Sequence, residues 1–236
     1  MHECTGKKRG MSSRILDWFD DRINLRELTK SQLTEYLVPQ NLNFWYSMGL
    51  VALGFLLIQI ITGIFLLMYY IPEPDKAFQS IQFIVEEVPF GWLMHKLHAI
   101  GANMMVIGLL LHMVSVIYMG SYKSPRELQW FSGAILFGLT LATCLSGYLL
   151  PWSQLSYWAI TVATNSLVVT PFIGDELVRF VRGSEGVSGA TLGRFFSLHV
   201  TLLPLLILGV VGLHLFFMRA TGISEPPFVK KTAHKE

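Results

Sequence analysis

The chain has 236 residues, 52% of them hydrophobic and only 14% charged, with a formal net charge of +2. Soluble domains carry about 25% charged residues, so the composition points to a lipid bilayer, and so small a net charge argues against a nucleic-acid partner. Two cysteines, Cys4 and Cys144, are too few for a disulfide framework or a CxxC site.

The basic N-terminus is followed by no early apolar stretch, so no cleaved signal peptide is expected, and Met11 is an alternative start. Between Arg14 and Leu37, Leu16, Phe19, Ile23, Leu25 and Leu28 alternate with charges. That pattern predicts an amphipathic helix lying on the membrane surface. Residues 1–43 are accordingly expected to form a cytoplasmic N-terminal segment.

Four apolar runs follow: Phe44 to Tyr70, Trp92 to Met119, Leu128 to Leu150 and Phe195 to Met218. A membrane span needs roughly 20 apolar residues, and inside lipid each must be a helix that satisfies its own backbone. Trp45, Tyr69, Tyr70, Trp92, Trp130 and Trp152 fall near the ends of the runs, as interfacial aromatics do. Between the third and fourth runs, Trp152 to Ser166 and Pro171 to Arg182 are predicted as short helices on the outer face. Gly183 to Gly193 is expected to be a flexible link. The fold class is therefore an all-α integral membrane protein. A four-helix transmembrane bundle over 44–219 carries an N-terminal surface helix and short outer-face helices, and 220–236 is a cytoplasmic tail.

Lysine and arginine set the expected orientation. Thirteen lie before the first run, between the second and third, and after the fourth, against five in the other two connections and their flanks. Both termini are thus expected in the cytoplasm. Asp75, Glu86, Glu87 and Asp175 fall on the outer side and read as solvated loop charges.

Seven histidines are present; His2 and His234 are in polar tails and His95 is at the mouth of the second run. His98, His112, His199 and His214 lie inside the second and fourth runs, where ionisable groups are functional candidates by default. A lone histidine there could simply hydrogen-bond a neighbouring helix. His98 and His112 are fourteen residues apart, about 21 Å along a helix and within about 40° of one face. His199 and His214 are fifteen apart, about 22 Å and within about 60°. The two runs are parallel, so His98 is level with His199 and His112 with His214. Facing imidazoles suit the two axial positions of a haem iron. Structural zinc wants four ligands, and no cysteine or carboxylate stands beside these histidines. Gly49 and Gly63 in the first run, and Gly133 and Gly147 in the third, repeat the fourteen-residue interval. They read either as helix-contact residues or, preferably, as clearings for a porphyrin edge.

At these residues the chain resembles the cytochrome b family of quinol-oxidising bc-type complexes, and most closely the short, split cytochrome b6 form. The resemblance runs from about Ile15 to Ser224 and rests on the fifteen-residue His199–His214 interval and on SYKSPRELQW, SGYLLPWSQLSYWA, RFFSLHVTLLPLL and RATGIS. It implies two b-type haems: a low-potential one between His98 and His199 on the outer side, and a high-potential one between His112 and His214 on the inner side. Electrons would pass from a quinol site to a quinone site, contributing to proton translocation. Tyr148, Pro151, Trp152, Tyr157, Trp158 and Ala159 would form part of the outer quinol pocket. Implied partners are a Rieske iron–sulfur protein, a c-type cytochrome and a separate three-helix subunit carrying a Pro-Glu-Trp-Tyr-type motif, in a homodimeric complex of a bacterial cytoplasmic membrane rather than a thylakoid. The chain would not turn over alone.

Three departures from the family pattern stand out. Ser47 replaces the cysteine that attaches an extra haem in the b6 form, so no covalent third haem is expected. His95, with Lys96 beside it, stands where an arginine normally pairs with an outer haem propionate; both are candidate propionate partners, and His95 reads equally as an interfacial histidine. Ser115 replaces a second such arginine, and Arg219 is left as a candidate inner propionate partner. Two other readings are a haem-bearing anchor of another respiratory oxidoreductase and a non-haem transporter with a histidine relay.

Overall fold

The structure, a computed structural model, describes residues 44–224 together with Asp17 and Asp20. Apart from those two residues, the predicted surface helix over 14–37 lies outside the described residues, as do His2 and His234. A 3-10 turn, Phe44–Ser47, leads into α1, Met48–Leu67. There follow α2 (Ala77–Glu86), α3 (Gly91–Tyr118), α4 (Glu127–Leu149), α5 (Gln154–Asn165), α6 (Gly174–Arg182) and α7 (Gly189–Ser197). A π turn, Leu198–Leu202, joins α7 to α8, Leu203–Thr221. The chain divides into residues 1–40 and 41–236, and α1 to α8 belong to the second unit.

Among the described residues, four helices are long and apolar enough to cross a membrane: Phe44–Leu67, Gly91–Tyr118, Glu127–Leu149 and Gly189–Thr221. Among the described residues there is no strand, as expected where lipid leaves the backbone no other partner. The fourth span begins earlier than its apolar run. Ser188 and Thr191 form a reciprocal capping box, which starts a helix by satisfying its first free N–H groups. Gly189 to Gly193 is therefore helical, and the flexible link predicted up to Gly193 ends at Ser188.

The connection between α1 and α3 also holds a helix, α2, that its mixed sequence did not reveal. The corner from α2 into α3 turns on Phe90, whose φ is +59°. A side chain at the next residue, Gly91, would run into the Ile84 carbonyl, so only glycine fits there.

Two closely packed helix pairs make up the bundle, α1 with α3 and α4 with α8. The histidine-bearing helices α3 and α8 make little backbone contact with each other. One end of the bundle is closed by an apolar cluster of Ala77, Leu149, Ile160, Val187, Leu192 and Phe195. Tyr70 pins the cap: its hydroxyl donates to the Leu150 carbonyl at 2.7 Å and its ring stacks on Phe196. Burial pushes the Tyr70 phenol above its ordinary pKa, so it remains a donor.

Among the described residues, Arg182 is the buried charge of this cap, at 5% exposure. Its guanidinium donates to the Thr164 hydroxyl, the Thr161 carbonyl, Asn165 Oδ1 and the Glu185 carbonyl at 2.7, 2.9, 2.8 and 3.2 Å. Three of these acceptors lie in the last turn of α5. A cation there meets the negative end of the helix dipole and satisfies the Thr161 carbonyl oxygen, which ties α6 back onto α5.

Candidate functional site

Each of the four histidines is half-buried and rests against a glycine of the neighbouring helix. A Cβ on Gly63 would lie 3.3 Å from His98 Cε1, one on Gly49 3.1 Å from His112 Cε1, and one on Gly133 3.2 Å from His214 Cε1. At Gly147 a Cβ would overlap the His199 ring. The two glycine series therefore admit imidazoles, the direct neighbours of the bare backbone. Spacing alone points to a clearing, and the imidazole contact within it comes from the structure.

Three of the rings are held by a hydroxyl one residue before the glycine. Nδ1 of His98 lies 2.9 Å from Thr62 Oγ1, Nδ1 of His214 2.9 Å from Ser132 Oγ, and Nδ1 of His199 3.2 Å from Ser146 Oγ. Each hydroxyl already donates its single proton to a carbonyl of its own helix: Thr62 to Ile58, Ser132 to Gln129, Ser146 to Thr143, at 2.6, 2.9 and 2.9 Å. It can then only accept from the histidine. The proton is thereby assigned to Nδ1, and His199 shares it with the Thr143 carbonyl at 3.0 Å. The Nε2 lone pair remains available to a ligand, the arrangement that orients metal-binding histidines. Sequence reasoning missed these hydroxyls, although a Ser or Thr directly before three of the four glycines was there to be seen.

His98 and His199 face each other with ring centroids 6.1 Å apart and planes at 79°. Two metal–nitrogen bonds of about 2 Å and two ring radii of about 1 Å span about 6 Å. A single metal ion between the two rings fits that separation. Among the described residues no group of three or more His, Cys, Asp or Glu comes together. Facing imidazoles without such a group suit haem and not a closed zinc site.

The fifteen-residue interval in the fourth span has a structural cause. The π turn Leu198–Leu202 contains His199 and precedes Pro204. Proline has no N–H to continue the α pattern, and the wide i→i+5 turn takes up one extra residue. His199 and His214 thereby recover the register that His98 and His112 have with fourteen.

The other predicted site residues fall in two places. His95 is half-buried, one turn before His98 and on its side of α3. Lys96 is exposed and lies over the Trp92 ring at 5.8 Å, two residues from His98 and so on the far face of the helix. It is turned away from the paired histidines. Arg219 is half-buried near the end of α8. Trp152 and Tyr157 meet edge-on and pack against the apolar cap, whereas Tyr148 and Trp158 are 47% and 58% exposed. Pro151 and Ala159 are half-buried. Trp152 has a φ of +51°, a backbone state that costs energy outside glycine. Ser47 donates to the Phe44 carbonyl at 2.6 Å.

Comparison with known proteins gives a consistent result. The family described as cytochrome b/b6/petB matches residues 33–222. Cytochrome b of Allochromatium vinosum is 43% identical, over 89% of this chain and 51% of its own length. Cytochrome b6 of Synechococcus elongatus is 39% identical, over 91% of this chain and 99% of its own. A protein named cytochrome b/c1 from Bradyrhizobium diazoefficiens is 41% identical, but only 33% of it is covered. The chain thus spans from about a third to three-fifths of the length of most of these curated relatives. A solved chain of a hyperthermophilic respiratory complex III superposes with a TM-score of 0.84 at 42% identity, over 94% of this chain and 59% of that one.

Proposed function

The chain belongs to the cytochrome b/b6 family, and from that premise we propose that it is the dihaem electron-transfer subunit of a quinol:cytochrome c oxidoreductase of the bc/b6f type. When bound, two b-type haems supply one-electron couples at two depths, linking quinol oxidation on the outer side to quinone reduction on the inner side. The observation that carries the reading is the His98–His199 pair, 6.1 Å apart, glycine-backed, and fixed by Thr62 and Ser146 with Nε2 available.

The residues divide the work. His98 and His199 hold the outer haem, and His112 and His214 the inner one. Thr62, Ser132 and Ser146 fix tautomer and ring orientation. His95 faces the outer pair as a propionate partner, and Arg219 serves the inner haem. Tyr148, Trp158 and Ala159 offer aromatic and apolar surface to a quinol ring, with Pro151, Trp152 and Tyr157 forming its wall against the cap. The excess of Lys and Arg around the termini and the α3–α4 turn supports an orientation with both termini in the cytoplasm of a bacterium. A separate three-helix subunit completes the quinol site, and a Rieske protein and a c-type cytochrome receive electrons from it, in a homodimeric complex.

A dithionite-reduced spectrum of the purified complex tests the proposal. The expected result is two b-type haems per chain, with His98→Ala and His112→Ala each removing a different one. Full pigment in either variant would overturn the assignment.

A further inference from the structure

Helix α5 has two faces. Ser156, Ile160 and Thr164, four residues apart, form a buried stripe, whereas Leu155, Trp158 and Val162 are exposed. The stripe ends on the buried Arg182 guanidinium, and the bonds from Arg182 continue back along the helix. Thr164 Oγ1 accepts from Arg182 Nε and donates to the Ile160 carbonyl at 2.6 Å. The Thr161 carbonyl accepts from the same guanidinium, and the Thr161 hydroxyl donates to the Tyr157 carbonyl at 2.8 Å. Two side-chain bridges therefore run from Arg182 to residues 157 and 160, which bracket Trp158 and Ala159. The other end of α5 is fixed by its cap, Ser153, whose hydroxyl accepts from the Ser156 N–H at 3.2 Å.

The four acceptors on Arg182 are uncharged oxygens. A charge buried among neutral partners is costly, and an apolar side chain of similar size often serves stability as well. What the guanidinium adds is a rigid planar fork of donors. Thr161, Thr164 and Asn165 of α5, and the Glu185 carbonyl of the loop after α6, meet that fork in one arrangement. We propose that Arg182 is a positioning residue for quinol binding. It fixes the rotation of α5, and with it the wall formed by Tyr157, Trp158 and Ala159 beside Pro151 and Trp152. Arg182 acts through α5 and touches no substrate. The inference rests on the quinol-site reading.

The test uses the purified complex, a short-chain quinol and a c-type cytochrome as acceptor. Arg182→Gln removes the fork, and Thr164→Val breaks the bridge to Ile160 while keeping a similar shape. Arg182→Gln is expected to raise the KM for quinol about fivefold with kcat held within about twofold, as when binding is lost equally from ground and transition states. Thr164→Val raises KM less, in the same direction. Arg182→Lys keeps the charge without the fork and retains a raised KM. The haem-to-protein ratio stays at the wild-type value in all three. An unmoved KM in Arg182→Gln and Thr164→Val would overturn the inference, as would a fall in kcat alone. A wild-type KM in Arg182→Lys would overturn it by showing that charge and not geometry acts. If Arg182→Gln fails to assemble, Thr164→Val decides, and loss of haem from Thr164→Val would count against the inference. A wild-type complex that holds its haems and oxidises no quinol would sink the quinol-site reading itself, before any variant is compared.

Discussion

A glycine in a transmembrane helix is usually explained by helix contact, but four glycines here each face an imidazole. They do not face it equally. Alanine at Gly147 would place its Cβ inside van der Waals contact of the His199 ring, whereas alanine at Gly63 meets His98 at 3.3 Å, where a small shift suffices. Gly138, on the same helix as Gly147, has nothing within 4 Å of the point an alanine methyl would occupy. Overpacking of this kind costs about 1–3 kcal/mol, and at Gly147 the cost falls on a proposed haem ligand. Gly147→Ala is expected to lower the occupancy of the His98–His199 haem severalfold, Gly63→Ala to lower it less, and Gly138→Ala to leave it unchanged. Haem-to-protein ratios from pyridine haemochrome spectra check the order. Equal ratios in all three would mean that the glycines do not position the rings.

At the scale of elements, the fourth span shows a local irregularity serving a long-range register. Fifteen residues of regular α-helix overshoot four turns by about 60°, and the π turn at Leu198–Leu202 removes that excess. Pro204 prevents the α pattern from running through it. Pro204→Ala restores an N–H and lets the helix regularise, turning His199 away from His98. The expected result is selective loss of the outer haem, with the His112–His214 haem kept; a reduced difference spectrum showing both would argue that packing alone holds the turn. Much of this is legible in the sequence. Apolar run length shows the four spans, and helical periodicity shows which histidines face one another. The π turn is hidden because an extra residue in the spacing looks like imprecision until the backbone is seen. The helix α2 is hidden because a short segment with mixed polarity gives no periodic signal, and it is held by Ala77, Ser80 and Ile84 buried against its neighbours. The start of α7 is obscured because its glycines suggest a flexible link more strongly than the Ser188–Thr191 capping box suggests a helix. The staple at Arg182 reads in the sequence only as a topology charge, since nothing in its neighbours announces burial.

For the whole molecule, the distribution of contacts implies a dependence on what fills the bundle. The pairs α1–α3 and α4–α8 are closely packed, while α3 and α8 have little direct contact. In lipid there is no hydrophobic drive to hold the two pairs together. The two halves are joined chiefly by the apolar cap at one end and, at the other, by the α3–α4 turn and its bond from Arg126 to the Gly222 carbonyl at 3.1 Å. A group ligated from both α3 and α8 binds only the assembled bundle, and a ligand at about 1,000 times its Kd stabilises by about 4 kcal/mol. Protein made in a haem-deficient host is therefore expected to melt at a lower temperature in detergent than haem-replete protein and to be cut faster by protease. Added haemin should restore both properties in the wild type and fail to do so in a His98→Ala/His112→Ala double variant. If haem-free and haem-replete protein melted together, the two helix pairs would have to be held by direct contacts, and a ligated group would have no structural role.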